Sequence, residues 1–167
     1  MQITTSIHSI FDCSLERAFK SPMLCDVRKV HSGFGPMPRV THCSEDQGWG
    51  QPGGSRKVFM EKSLFFKGGE ALLDTVIERE ENKYWIIEIS DFKLNMFGLT
   101  KFRGEWITTE MPNGKIRVDY SYTLFSDSVL LFPLHWLFAK IIWRIYMKHV
   151  LENVRQLAYS NAPYIQD

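Results

Sequence analysis

The sequence predicts an α+β fold in which an antiparallel sheet of about seven strands packs against one long C-terminal helix. Five β-rich runs follow one another over short links, at residues 55–66, 70–80, 84–92, 100–111 and 115–125. Short links join antiparallel neighbours, because parallel strands need long crossover connections. Asn113-Gly114 lies between the last two runs and predicts a type I′ hairpin turn, in which both central residues have positive φ.

The long helix is predicted from apolar spacing between residues 131 and 160. Apolar side chains recur there at intervals of three and four residues: Trp136, Ala139, Trp143, Tyr146, Val150, Val154 and Leu157. This interval places them on one face of a helix. Pro133 is compatible with the first turn, where a missing N–H costs little.

The N-terminal part of the chain predicts one strand, two short helices and another extended segment. Residues 2–11 form the strand, and "DCSLERAFKSP" predicts a helix with cap residues at Asp12 and Ser14 and an end at Pro22. "MLCDVRKVHSGFG" predicts a second helix, ended by Gly33, and residues 38–45 follow as the extended segment.

Composition indicates an ordinary soluble protein. The 167 residues are 44% hydrophobic and 23% charged, which predicts a single domain spanning residues 1–167. The net charge of +1 includes no basic block, so we expect no nucleic-acid partner. Cys13, Cys25 and Cys43 lack metal-site or disulfide spacing, and the first residues lack a signal-peptide pattern. We therefore expect reduced cysteines and a cytoplasmic location.

The stretch "EDQGWGQPGGSRKV", residues 45–58, contains the spacing G-x-G-x-x-G at Gly48, Gly50 and Gly53. A dinucleotide fingerprint needs a helix after its glycines, whereas the residues that follow predict a strand. A phosphate loop needs a lysine at the position that Gly54 occupies. We therefore predict a loop between strands, and no nucleotide or other cofactor.

Three stretches carry a resemblance to a known superfamily. "FDCSLERAF", "WGQPGGSRKV" and "KFRGEWITTEMPNGKIRVDYSYTLF" resemble the START-like (SRPBCC) superfamily and its polyketide cyclase/dehydrase-like bacterial branch, which includes lipid-transport-like members. The resemblance implies a helix-grip fold, in which a curved sheet wraps the long helix around an internal cavity. It also implies binding, transport or processing of hydrophobic small molecules such as lipids, polyketides or isoprenoids. It transfers no catalytic residue, because those residues differ between subgroups.

A candidate ligand site follows from the alternation of the last two strands. The inward-facing set in each strand and the apolar stripe of the helix converge on six aromatic residues: Phe102, Trp106, Tyr120, Tyr122, Trp143 and Tyr146. We expect them to border a cavity on the order of several hundred Å³. The alternative is that the same side chains fill a solid core.

The catalytic question stays open at this stage. The alternation of 70–80 and 84–92 does not decide which side chains face inward, so Asp74, Glu78 or Glu88 would be buried acid–base candidates in one of the two arrangements. A cyclase, dehydratase or hydrolase acting in the same cavity is the alternative to binding. Arg56 is expected at the cavity rim or in solvent. The five histidines are dispersed along the chain, so we predict no metal site.

The uncharged run from Val129 to Ala139 raises one further alternative. It is too short to span a bilayer, and Lys140 and Arg144 follow it. The default expectation is a buried helix start, and the alternative is a transient contact with a membrane surface. A chaperone-like or membrane-partner role with a residual cavity is the third functional hypothesis. The oligomeric state cannot be predicted from the sequence.

Overall fold

Seven antiparallel strands form one curved sheet in the computed structural model, which describes residues 1–44, 48–64 and 66–165. The spatial order is β1-β7-β6-β5-β4-β3-β2. The strands are β1 (Gln2–Phe11), β2 (Val40–Cys43), β3 (Ser55–Met60), β4 (Gly69–Glu80), β5 (Tyr84–Ser90), β6 (Leu99–Glu110) and β7 (Ile116–Ser126). Every neighbouring pair is antiparallel, as the short links predict.

Two short helices follow β1, and one long helix follows β7. The short ones are α1 (Leu15–Leu24) and α2 (Val27–Val30). The C-terminal helix consists of α3 (Phe132–Leu137), a π-helical segment (Phe138–Trp143) and α4 (Arg144–Tyr159). Its buried side packs against the inward face of the sheet in one hydrophobic core. The predicted α+β architecture of about seven strands, two short helices and a long C-terminal helix is confirmed.

Helix α1 continues through Pro22, where the sequence predicted its end. A proline inside a helix removes the hydrogen bond to the carbonyl four residues earlier, which here belongs to Ala18. The indole Nε1 of Trp106 donates to that carbonyl at 3.0 Å. In the next turn, Trp49 Nε1 donates to the Met23 carbonyl at 2.9 Å. Indole donors from a strand and a loop therefore help to satisfy the C-terminal half of α1.

The π-helical segment changes which side chains of the C-terminal helix face the core. The predicted stripe is buried from Ala139 to Leu157, but Trp136 is half exposed and His135 is buried in its place. A π-helix bonds residue i to i+5 and rotates less per residue than an α-helix. The buried face therefore continues backward through positions 143, 139 and 135. The prediction for Trp136 is wrong for this reason.

The hairpin between β6 and β7 forms at the predicted place with a different turn. Gly114 has a φ of 79°, and Asn113 is not among the residues with positive φ. The Gly114 N–H donates to the Met111 carbonyl at 2.9 Å, so Pro112 and Asn113 are the central residues of the turn. Pro112 fits the first central position because its ring fixes φ near −65°. The type I′ prediction is therefore wrong.

The glycine stretch is a loop that leads into β3, as predicted. The loop portion that precedes β3, residues 48–54, contains positive φ at Gly48, Gly50 and Gly53, which glycine adopts without steric cost. A Cβ on Gly54 would lie 2.0 Å from the Gly48 carbonyl oxygen, so the chain closes on itself too tightly for any side chain there. Residues 45–47 lie outside the described residues. Ser55 begins a strand, and a dinucleotide fingerprint would need a helix there.

Candidate functional site

An apolar cavity of about 70 Å³ lies between the sheet, the segment after α2 and the C-terminal helix. Its wall includes aliphatic side chains from four strands, namely Val40, Val58, Leu72 and Ile89. Further apolar contacts come from the β5–β6 connection, through Phe92, Leu94 and Met96, and from Met37 and Pro38. The cavity is smaller than the several hundred Å³ expected from the sequence. It has room for about five water-sized groups.

Five of the six predicted site residues line this cavity: Phe102, Tyr120, Tyr122, Trp143 and Tyr146. Trp106 is buried as well, but it lines a neighbouring cavity of about 60 Å³ beside α1. Tyr120 and Tyr122 border both cavities. Trp106 lies on the same inward face of the sheet, and its hydrogen bond to the Ala18 carbonyl of α1 holds its ring beside that helix.

Trp143 is the centre of the aromatic wall. Its ring lies 4.9 Å from Phe102, 5.2 Å from Tyr122 and 5.3 Å from Tyr146, measured between centroids. The first two contacts are edge-to-face, an arrangement that the ring quadrupoles favour. This network fixes the ring of Trp143 against the sheet.

Gly104 allows the ring of Tyr122 to lie flat on strand β6. The two residues are directly paired across β6 and β7. A Cβ on Gly104 would lie 2.8 Å from the Tyr122 ring and 2.9 Å from Ile87. Real Cβ atoms do not approach other atoms so closely, because packing in protein interiors is already tight. Gly104, the second residue of the Arg103-Gly104 pair, therefore has a steric role in shaping the cavity wall.

A buried ion pair, formed by Arg56 and Asp74, lines both cavities. Arg56 on β3 and Asp74 on β4 are directly paired across the sheet, and Arg56 Nη2 donates to Asp74 Oδ2 at 3.3 Å. Both side chains are almost fully buried. Burial raises the pKa of the Asp74 carboxyl, and the charge of Arg56 opposes that rise. Because neither charged group is hydrated, each charge is stabilised by the opposite charge of its partner.

The glycine loop provides the second support for Arg56. The guanidinium of Arg56 lies 3.6 Å from the centroid of the Trp49 ring, which is the geometry of a cation–π contact. Trp49 is itself fixed by its hydrogen bond to α1. The "WGQPGGSR" stretch therefore acts structurally, since it places an indole over the arginine that follows it.

A second polar pair, His31 and Tyr146, lines the cavity on the side of the helices. His31 Nδ1 and the hydroxyl of Tyr146 share a hydrogen bond of 2.8 Å. Burial lowers the pKa of His31 to about 4, and the positive charge of Arg56 contributes to the shift. Burial also raises the pKa of Tyr146. Both groups are therefore neutral near pH 7, and the pair joins α2 to the C-terminal helix without a charge.

Three polar atoms on the cavity residues have no hydrogen-bond partner among the described residues. They are Arg56 Nε, Asp74 Oδ1 and Trp143 Nε1. A buried polar atom without a partner costs about 1–3 kcal/mol, and most buried polar atoms in proteins are satisfied. Two donors and one acceptor are thus available beside an apolar wall.

Sequence reasoning left the direction of the acidic side chains open, and the structure settles it. Asp74 faces inward with Leu72, whereas the register of β4 shifts between Val76 and Glu78 and leaves Glu78 exposed. Glu88 lies on the outer face, where its carboxylate is 3.0 Å from Lys101. Asp74 is thus the buried member of the three.

Sequence reasoning placed one candidate residue, Arg56, wrongly and did not single out another, His31. Arg56 was expected at the rim or in solvent, and it is buried because Asp74 and Trp49 compensate it. His31 was one of several dispersed histidines, with no signal that pointed inward. Within the described residues, no group of three His, Cys, Asp or Glu side chains has the geometry of a metal site.

Comparison with solved structures shows the same architecture in other proteins. The crystal structure of Ara h 8.0201 matches with a TM-score of 0.71 at 16% identity, covering 96% of this chain and 100% of that chain. A protein of unknown function from Staphylococcus aureus, SA2116, matches with a TM-score of 0.70 at 12% identity, covering 96% of each chain. No family model matches the sequence, and no curated protein does so at a significant level. At these identities the likeness shows the fold, which is the helix-grip fold.

Proposed function

We propose that this chain binds a small, largely apolar molecule between the sheet and the C-terminal helix, as a member of the START-like (SRPBCC) superfamily. One observation carries the proposal. The cavity wall is apolar and aromatic, yet Arg56, Asp74 and Trp143 each present a buried polar atom without a partner. An apolar pocket with a few convergent polar groups is the usual form of a small-molecule site.

The charges favour a neutral polar group on the ligand, such as a hydroxyl. A hydroxyl both donates and accepts, so it can donate to Asp74 Oδ1 and accept from Arg56 Nε or Trp143 Nε1. A carboxylate would add a second negative charge beside Asp74, whereas the single positive charge of Arg56 is already paired. Two carboxylates sharing one site repel each other. An alcohol should therefore bind better than the matching acid.

Binding has more support than catalysis at this site. An acid–base enzyme would gain support from a second buried carboxylate, or from a carboxylate hydrogen-bonded to a histidine or tyrosine. Within the described residues, Asp74 bonds to Arg56, and His31 bonds to Tyr146. The bond to Arg56 keeps the carboxylate in a structural ion pair, so no proton-transfer pair is assembled here.

The resemblance in the "WGQPGGSRKV" stretch supports the finer assignment to the polyketide cyclase/dehydrase-like branch. In this chain the stretch positions Trp49 over Arg56, so its residues serve the polar end of the proposed site. We assign the whole chain, residues 1–167, to one such domain. The proposed ligand contacts are Phe102, Tyr120, Tyr122, Trp143 and Tyr146, with Trp106 bordering the neighbouring cavity.

Calorimetric titration with 1-butanol and with butanoate tests this proposal, because the five non-hydrogen atoms of butanol match the size of the cavity. We expect saturable binding of butanol and weaker binding of butanoate at neutral pH. Trp143→Phe removes one indole donor and should weaken butanol binding about threefold to tenfold, the value of one hydrogen bond. Trp136→Phe is the matched control, because it makes the same change at an exposed position of the same helix. Equal affinity in both variants, or no binding by the unaltered protein, would contradict the proposal.

A further inference from the structure

The outer face of the C-terminal helix carries a continuous set of exposed apolar side chains. The members are Leu134, Trp136, Leu137, Ile141, Ile142 and Ile145, called here the apolar face. Ile141 is 48% exposed, and Leu130, just before the helix, is 88% exposed. Such a cluster exceeds the scattered exposed residues that are normal on a protein surface. The helix therefore buries one side in the core and presents a second apolar side outward.

The charged side chains of the helix segment that carries this face are of one sign. Between Asp127 and Glu152 the sequence contains no acidic residue, and the charged residues in that interval are Lys140, Arg144 and Lys148. Arg144 and Lys148 are exposed on the outer side of the helix. Within the described part of the chain, neither of them makes an ion pair. An apolar face bordered by unpaired cations is typical of helices that lie in a membrane interface.

We propose that the apolar face docks on the surface of an anionic lipid bilayer. The apolar side chains would enter the boundary between head groups and acyl chains, while Arg144 and Lys148 would contact anionic head groups. Among the described residues, no helix is long and apolar enough to cross a membrane, so the helix would lie in the plane of the interface. A symmetric dimer through this face would bring the cations of two copies together, which like-charge repulsion disfavours.

The proposed docking surface is connected to the cavity through one loop. Phe92, Leu94 and Met96 of the β5–β6 connection line the cavity, and Phe97 in the same connection is exposed. The Phe97 carbonyl accepts a hydrogen bond of 2.9 Å from His135 Nε2, at the start of the C-terminal helix. A bilayer that contacts the apolar face would therefore lie beside the segment that covers the cavity. The docking inference rests on its own observations and does not require the cavity to hold a ligand.

Co-sedimentation of the full chain with lipid vesicles tests the proposal. We expect binding to phosphatidylcholine vesicles that contain a minority of phosphatidylglycerol, and weaker binding to pure phosphatidylcholine. Ile141→Glu should reduce the partition coefficient at least about tenfold, because it places a charge in the apolar contact. Ile107→Glu is the matched control, since Ile107 is 41% exposed on the outer face of the sheet. It should bind as the unaltered protein does.

The electrostatic part of the proposal has its own variants. Arg144→Gln/Lys148→Gln should weaken binding to the anionic vesicles about thirtyfold, since each cation near the surface contributes about 1 kcal/mol. Lys115→Gln/Arg117→Gln removes the same charge from the β6–β7 hairpin and should have little effect. Circular dichroism checks that each variant is folded. The proposal would be overturned if both double variants lost vesicle binding equally, or if the unaltered protein bound no vesicles. It would also be overturned if the protein formed a dimer that Ile141→Glu disperses.

Discussion

The guanidinium of Arg56 and the carboxylate of Asp74 form an ion pair of 3.3 Å in the interior of the sheet. Both residues lie on paired positions of β3 and β4, so the backbone register brings them together. Replacing Asp74 with leucine leaves the Arg56 charge buried without its partner. We expect a loss of about 3–5 kcal/mol in the free energy of unfolding, measured by urea denaturation.

The double variant Arg56→Met/Asp74→Leu is the control for that prediction. It removes both charges, so it should recover most of the stability that the single change loses. The exposed pair Arg117–Asp119 is the second control, where Asp119→Leu should cost less than about 1 kcal/mol. If Asp74→Leu and Asp119→Leu lowered the free energy of unfolding by similar amounts, the Arg56–Asp74 pair would not be buried as described.

The hydrogen bond from Trp106 to the Ala18 carbonyl predicts an energetic coupling with Pro22. Trp106→Phe leaves that buried carbonyl without a donor and should cost about 1–3 kcal/mol. In the background Pro22→Ala, the new N–H at position 22 can bond to the same carbonyl, so Trp106→Phe should cost less. A double-mutant cycle from urea denaturation measures the difference. Additive effects would contradict the proposed role of the indole.

The lowered pKa of His31 predicts a loss of folding stability in acid. Its pKa is lowered to about 4 from an ordinary value of 6.5, so between these values the unfolded chain binds a proton that the folded chain does not. The free energy of unfolding should therefore fall as pH drops from 7 to 4. We expect His31 to contribute a loss on the order of 2 kcal/mol.

The variant His31→Gln isolates this contribution. Asp74 acts in the opposite direction, because its raised pKa lets the folded chain take up a proton at a higher pH than the unfolded chain. That effect is present in both proteins and cancels in the comparison. The acid sensitivity of the unaltered protein should exceed that of His31→Gln between pH 7 and 4. Identical pH profiles would show that His31 is solvated in the folded state.

A cavity-filling comparison distinguishes free space from solid core. Val58 lines the cavity, and Val118 is fully buried on β7 and lines neither interior cavity. Val58→Phe should be tolerated with a change in stability below about 1 kcal/mol, because the added ring enters existing space. Val118→Phe should cost about 1–3 kcal/mol through overpacking. Thermal melts of the two variants provide the test, and equal costs would contradict the cavity.

Strand alternation predicted much of the site. Phe102 and Trp106 on β6, and Tyr120 and Tyr122 on β7, are all buried as expected, because an antiparallel sheet with one covered face enforces a period of two. The glycine loop was predicted from its missing lysine and the strand after it. These features depend on residues that are close to one another along the chain, so the sequence alone is enough to predict them.

The remaining features depend on contacts between distant segments. Trp136 turned outward because a π-helical segment altered the phase of the helix, and the sequence carries no marker of that segment. Arg56 is buried because Trp49 and Asp74 approach it from a loop and a neighbouring strand. The register shift in β4 separates Glu78 from Asp74. Periodicity within one segment does not contain such information.

Native mass spectrometry of the purified chain, with the unaltered protein beside Val58→Phe and Val118→Phe, tests the central claim most directly. We predict that the unaltered protein and Val118→Phe carry an adduct of defined mass after incubation with 1-butanol. Val58→Phe should appear without the adduct while remaining folded, because the added ring occupies the ligand's space. An unaltered protein without an adduct at all butanol concentrations, or an adduct retained by Val58→Phe, would contradict binding in this cavity.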